Sequence, residues 1–222
     1  MGLADASSDF LAGLDAGDTE ALAALGARRR VAAGATLLRE GHRSETVALV
    51  QRGRLKISYM SVDGREVILA IVGPGSVLGE VAAIDGEPHS SSAIALEPVE
   101  VAIIPAARFR AFVAERPSVG MALLRTLTRR LRDSDRRQVE FATTDTVGRV
   151  SACLIDLADR YGDGDDMGIR LSQDELASLT GASREAVVKA LATLRSRGWI
   201  ETARRSIRII EREALVNRRV AP

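Results

Sequence analysis

The sequence has little with which to do redox or metal chemistry. It holds one cysteine, Cys153, and two histidines, His42 and His89. A single thiol excludes an internal disulfide framework, a cysteine-rich zinc site and an iron–sulfur cluster held by thiolates of one chain. No HExxH run is present, so the histidines lack the spacing of a helical zinc site. No apolar run approaches the roughly 18 residues that span a bilayer. The opening MGLADASSDF has no basic-then-apolar signal, and a cytoplasmic location is the expectation. No nucleophile–base set stands out, so the sequence offers no enzyme chemistry.

It also lacks a net charge worth the name, +1 on 222 residues, so any charged partner must be sought in local patches. What is present is ordinary globular material, 46% apolar and 27% charged, enough for one large domain or two small ones. Residues Thr19 to Arg30 read as a short helix. After Val31 come short apolar runs broken by glycines, at residues 46–50, 55–60, 67–72, 93–96 and 99–104, with an Asp63-Gly64 hairpin signal. That spacing predicts an all-β sandwich or barrel flanked by helices. GPGSVLG (73–79) does not have GxGxxG spacing and reads as a strand–turn–strand corner. The stretch GEVAAIDGEPHSSS (79–92) joins a glycine and an acid to a turn and three serines, which suits a cradle for a small hydroxylated anion.

After Pro117 the period becomes helical. Leu124, Leu127, Leu131, Ser134, Gln138 and Phe141 step by three and four, a heptad seam with arginines on the other faces. The seam predicts a helix that pairs with a second copy. Asp145 caps a further helix over 146–160, and YGDGDDMG (161–168) reads as a solvated loop.

Residues 171–200 read LSQDELASLTGASREAVVKALATLRSRGWI. Ser172 with Glu175 forms a capping box, Gly181 permits a tight turn, and Ser183 caps a second helix. On that helix Val187, Ala190, Leu191 and Leu194 share one face, and Arg184, Glu185, Val188 and Lys189 another. This is the pattern of a helix-turn-helix. Arginine and lysine can donate to guanine, glutamate can accept from cytosine, and valine can touch a thymine methyl. The alternative is an amphipathic helix whose Glu185–Lys189 pair only supports the helix. From Arg184 to Pro222 there are ten Lys or Arg against four acids, which favours nucleic acid. Residues 199–210 read as a β-hairpin wing with Arg204 and Arg205 at its tip, suited to phosphates.

In that order of parts, with GE…DGxPxS, TDTVGRV (144–150) and LSQDELASLTGASREAVVKAL, the chain resembles the CRP/FNR family of transcription regulators along essentially its whole length. The resemblance implies an α+β protein: a β-sandwich or jelly-roll sensor over residues 1–116, a dimerisation helix over 117–143 and a winged helix-turn-helix over 144–222. It implies a homodimer on a palindromic double-stranded DNA operator and contact with RNA polymerase. By the cAMP-responsive members it places effector contacts on Gly79, Glu80, His89, Ser90 (or Ser91), Ser134 and Asp135. DNA contacts are expected from Ser172, Gln173, Ser183, Arg184, Glu185, Val188, Lys189, Arg204 and Arg205. The cysteines of the iron–sulfur branch are missing.

His89 departs from the pattern, because the phosphate-holding residue of those members is an arginine. A hydrogen bond to a charged group contributes about 1.5–3 kcal/mol, so its loss costs roughly ten- to a hundredfold in affinity. Read on its own, His89 is a solvent-facing loop residue; otherwise the pocket is altered, taking cAMP weakly, another cyclic nucleotide or another small anion. Glu80 is either an acceptor for a ligand or a strand-end surface charge. Ser134 is either a ligand contact or a polar break that sets register. The alternatives to an effector-modulated regulator are one that binds DNA with a vestigial sensor, and a nucleotide-binding module that acts on a partner protein.

Overall fold

The computed structural model describes residues 9–43, 45–161, 168–169, 171–203 and 206–220. They form two compact units that divide between Arg130 and Leu131.

The first unit opens with two short helices, α1 (Asp9–Ala12) and α2 (Ala16–Ala24), the second capped by Asp15 accepting from the Asp18 amide. Then come β1 (Ala27–Val31), β2 (Thr36–Leu38), β3 (Thr46–Arg52), β4 (Leu55–Met60), β5 (Glu66–Val72) and β6 (Val77–Leu78). Helix α3 (Glu80–Asp85), β7 (Ser92–Ala95), β8 (Val99–Pro105), α4 (Ala106–Glu115) and the start of α5 (Pro117–Thr143) follow. The strands make two antiparallel sheets, ordered β1-β8-β3-β6 and β2-β7-β4-β5, the sandwich that the glycine-punctuated apolar runs predict.

The unbroken apolar run of β3 has a physical reason. Its residues alternate faces, and both faces are covered. Ala48 and Val50 join Val31, Leu55, Val72, Val99 and Val101 between the sheets. Val47 and Leu49 point the other way, into a cluster with Phe10, Leu22, Phe109, Phe112, Val119 and Leu123 from the helices. Each fully buried side chain of this size contributes about 1.5–3 kcal/mol.

The second unit holds the rest of α5, then α6 (Thr146–Tyr161), β9 (Gly168–Ile169), α7 (Gln173–Thr180), α8 (Arg184–Ser196), β10 (Ile200–Ala203), β11 (Ser206–Ile209) and α9 (Arg212–Val220). Asp145 accepts from the Gly148 amide at 2.8 Å and starts α6. Val150, Leu154, Leu176, Val187, Leu194, Ile200 and Leu215 are buried. The three strands pair in the order β10-β11-β9. The lone tryptophan, Trp199, stands at the base of the hairpin. Its carbonyl accepts from the Ile210 and Glu211 amides at 2.9 and 3.1 Å, and the Arg197 guanidinium lies 4.8 Å over its ring.

Three expectations need correcting. The helix read over Thr19 to Arg30 ends at Ala24, and Ala27–Val31 is a strand. Only Val31 of that strand is buried, so an edge strand of exposed arginines carries no alternating apolar signal. The sensor portion is not all β between its terminal helices, since α3 interrupts it at Glu80–Asp85. The loop read over 161–168 gives up both ends, Tyr161 to α6 and Gly168 to β9, whereas α4 is one of the flanking helices expected. The acidic loop, at residues 162–167, and the wing-tip arginines 204 and 205 lie outside the described residues.

Candidate nucleic-acid interface and effector pocket

The helix-turn-helix is built by local chemistry. Ser172 Oγ accepts from the Glu175 amide at 3.2 Å, while the Glu175 carboxylate accepts from the Ser172 amide and hydroxyl, each at 2.7 Å. This reciprocal box starts α7. Gly181 ends it in the left-handed region, φ 58°, which a side chain disfavours. A Cβ there would also lie 2.6 Å from Cε1 of Phe141, so the turn is pressed against the end of α5. Arg149 of α6 fastens the same turn, donating to the Thr180 carbonyl at 3.0 Å and the Thr144 carbonyl at 2.9 Å. Its guanidinium lies 5.5 Å from the Phe141 ring centre.

Ser183 Oγ then accepts from the Ala186 amide at 3.2 Å and opens α8. Val187, Ala190, Leu191 and Leu194 are buried. Arg184, Glu185, Val188 and Lys189 are exposed together on the opposite face near the N-terminal end, as a recognition helix requires. Arg184 pairs with Asp174 at 3.6 Å, both well exposed, a contact weak enough to exchange for a base. Hydrogen bonds from its own backbone and from Ser183 hold the Glu185 carboxyl below its usual range, helped by Arg184 and Lys189. It therefore stays an acceptor at neutral pH. Gln173 is exposed at the start of α7, whereas the Ser172 hydroxyl is committed to Glu175.

In the first unit the sequence GEVAAIDGEPHSSS forms a turn, helix α3 and a loop. Gly79 adopts φ 79°. A Cβ on it would meet the Thr46 carbonyl at 3.0 Å and His89 Cε1 at 3.3 Å, so only glycine lets the loop close here. Glu80 is not a surface charge: it is 2% exposed and its carboxylate takes a hydrogen bond and ion pair from Nη1 of Arg130. Nη2 of Arg130 donates to the Val77 carbonyl at 3.2 Å.

His89 is not solvent-facing either. It is 6% exposed, its amide donates to the His42 carbonyl at 3.1 Å, and its carbonyl accepts from the Gly41 amide at 2.8 Å. Burial, and then the nearby charge of His42, push its imidazole below the usual histidine range. Ser90 is exposed and Ser91 half-buried. Ser92 Oγ accepts from the Glu40 amide at 3.1 Å. Among the described residues, the buried side-chain nitrogens left without a hydrogen-bond partner are His89 Nε2 and Arg130 Nε. An anion bound against these nitrogens, with a proton on each, would remove the penalty of leaving them unpaired. The donor set fits an anionic ligand.

Ser134, half-buried, and Asp135, exposed, lie on α5 past the division between the units. Arg130 escaped the sequence reading, though a signal existed. Val119, Ala122, Leu123 and Thr126 are buried, and continuing that stripe by four residues reaches Arg130. An arginine on a core-facing stripe needs a buried acid. Of the heptad seam, Leu127 packs against the first unit's core, while Leu124 and Leu131 are 57% and 62% exposed.

Among the described residues no group of histidine, cysteine and carboxylate side chains is placed to hold a metal ion, and no helix is long and apolar enough to cross a membrane. A jelly-roll followed by a capped helix-turn-helix with a hairpin is the architecture of a DNA-binding transcription regulator. Residues 28–116 match the cyclic nucleotide-binding domain model and residues 148–218 the Crp-like helix-turn-helix model. The chain is 37% identical over 189 residues to the CRP-like cAMP-activated global transcriptional regulator of Mycobacterium tuberculosis, spanning 83% of this chain and 84% of that one. It is 29% identical over 176 residues to the cAMP-activated global transcriptional regulator CRP of Pasteurella multocida, spanning 78% and 84%. Its fold superposes on the c-di-GMP-responsive global regulator CLP of Xanthomonas campestris with a TM-score of 0.79, at 26% identity over 88% of this chain and 99% of that one. The chain belongs to the CRP/FNR family and is a DNA-binding transcription regulator.

Proposed function

We propose that this regulator works as a homodimer on a palindromic operator, with α8 of each copy in a major groove. The observation that carries this is the capped start of α8, where Arg184, Glu185, Val188 and Lys189 are exposed on one face above a buried one. Dimerisation is supported by the stripe of exposed apolar residues on α5, including Leu124, Leu131 and Phe141, which a second copy of the same helix would cover. Two-fold symmetry then calls for half-sites about one helical turn apart, each with a G·C pair read by Arg184 and Glu185. Arg204 and Arg205 would hold phosphates beside it, and Ser172, Gln173 and Ser183 sit at the helix starts that face the same strand. RNA polymerase is the expected protein partner.

The effector is proposed to be a small anion of the cyclic-nucleotide class, held by Gly79, Glu80, His89, Ser90 or Ser91, and Arg130, with Ser134 and Asp135 as further contacts from α5. The relatives named above answer to cAMP and to c-di-GMP, so the class rather than the compound follows. Selection of operators from random DNA, with and without each nucleotide, tests the proposal. Enrichment of a palindrome that strengthens with one nucleotide supports it; no enrichment of any sequence sinks it. A palindrome unaffected by either nucleotide favours effector-independent binding, to which the Glu80–Arg130 pair lends weight because it already neutralises the pocket's arginine.

A further inference from the structure

We infer that the Gly79–Glu80 pocket takes up a proton together with its anion, and that the proton goes to Nε2 of His89. The inference rests on the reading that an anionic effector binds there, and concerns how this chain balances the charge.

Charge counting leads to it. Arg130 is the half-buried cation that meets this turn, and Glu80, its ion-pair partner, is 2% exposed. Together they are neutral. A monoanion placed against them would bring one uncompensated negative charge into a site screened from water, which is costly. A fixed positive charge from an arginine in the loop would cancel it, but the loop supplies His89 instead. Its Nε2 is buried and without a partner, and its neighbouring Cε1 lies 3.3 Å from the position of a Cβ on Gly79. The ring edge thus faces the Gly79–Glu80 turn. A proton on His89 would supply both the missing charge and a charge-assisted hydrogen bond.

The other cations near the turn are exposed or held on backbone carbonyls away from His89, Arg110 of α4 on the Ala83 carbonyl at 2.9 Å. On the 39–43 loop, Arg39 and His42 are exposed and the Arg43 guanidinium is engaged with the Gly86 carbonyl at 3.2 Å. The Glu40 carboxylate accepts from the Met60 amide at 3.0 Å. On the loop that carries His89, Asp85 accepts from the Glu87 amide at 2.9 Å, and both acids are exposed. Across the turn Glu80 is taken by Arg130, and the Val77 carbonyl holds the other arm of that guanidinium. Burial and the charge of His42 disfavour a proton on His89 before binding, whereas a bound anion favours it. Binding therefore carries the proton with it.

The sign follows from linkage. Between the value of His89 in the free protein, below the usual 6.5, and its higher value in the complex, affinity falls about tenfold per pH unit as pH rises. Below that window affinity is flat.

Calorimetry with cAMP as the probe tests this, from about pH 5.5 to about pH 8, in buffers of different ionisation enthalpy, on the full chain. Wild type should take up close to one proton per site within the window. His89→Arg should bind tighter with no proton uptake, and His89→Gln should bind weakly with no pH slope. A slope that persists in His89→Gln, or wild-type binding without proton uptake, overturns the inference. Binding by His89→Arg alone overturns it too, since the pocket then holds the anion but His89 does not charge. Failure of all three proteins, each with an unchanged melting temperature, instead removes the reading that cAMP-like anions bind here.

Discussion

At the scale of single residues, Gly181, Arg184 and His89 answer to different forces. Gly181 is squeezed between a left-handed backbone and the Phe141 ring. Gly181→Ala should lower the unfolding free energy by more than about 1 kcal/mol and weaken operator binding with it; urea denaturation and a gel shift on the same sample would show both. Arg184 is expected to behave differently. Arg184→Ala should cost about 1–3 kcal/mol in operator affinity and relax preference at one base pair, leaving stability unchanged because its Asp174 contact is exposed. A uniform loss across operator variants would instead make Arg184 a phosphate contact. His89 supplies a stability prediction. Its folded imidazole binds a proton less readily than the unfolded one, so between the folded value and about 6.5 the unfolded chain holds more protons. Stability is retained above that range and falls as pH is lowered through it. Urea midpoints compared between wild type and His89→Gln should differ in pH slope there and nowhere else.

At the scale of elements, α5 carries two stripes with different tasks. Val119, Ala122, Leu123 and Thr126 face the first unit's core, while Leu124 and Leu131 face outward. Leu131→Asp should therefore leave helix content and melting of the monomer near wild type but shift sedimentation towards the single chain. Retention of the dimer would place the interface elsewhere. The helix α5 was legible because its apolar period repeats over several turns. The strands were legible because apolar runs end at glycine. The edge strand Ala27–Val31 was not, because exposed arginines on one side of a sheet look the same as arginines on a helix. Helix α3 is only six residues, EVAAID, too short for a period to emerge. The recognition helix was legible down to its caps, since Ser172, Glu175, Gly181 and Ser183 act within a few residues of themselves. The Glu80–Arg130 pair was not: it joins residues 50 apart, and the one trace of Arg130 in the sequence is its place four residues on from Thr126 in the core-facing stripe. His89 was misjudged for the same reason, as its burial depends on the 39–43 loop lying over it.

At the scale of the molecule, the cyclic nucleotide-binding-type sandwich and the helix-turn-helix lie in separate compact units joined through one continuous helix. The hydrogen bonds of that helix run unbroken through the division, so neither unit's boundary coincides with a change of secondary structure. Phe141 and Arg149 tie the far end of the helix to the turn between α7 and α8. Glu80 and Arg184 thus belong to different cores.

Trp199 gives this arrangement an optical consequence. The chain's one indole sits wholly in the DNA-reading unit, at the base of the hairpin and beneath the Arg197 guanidinium. All tryptophan emission therefore comes from that place, and the sensor contributes none. A shift in emission when cAMP is added without DNA would be light from one unit reporting an event in the other. An unchanged spectrum, with calorimetric heat still present, would mean that the nucleotide is bound and the hairpin has not heard of it.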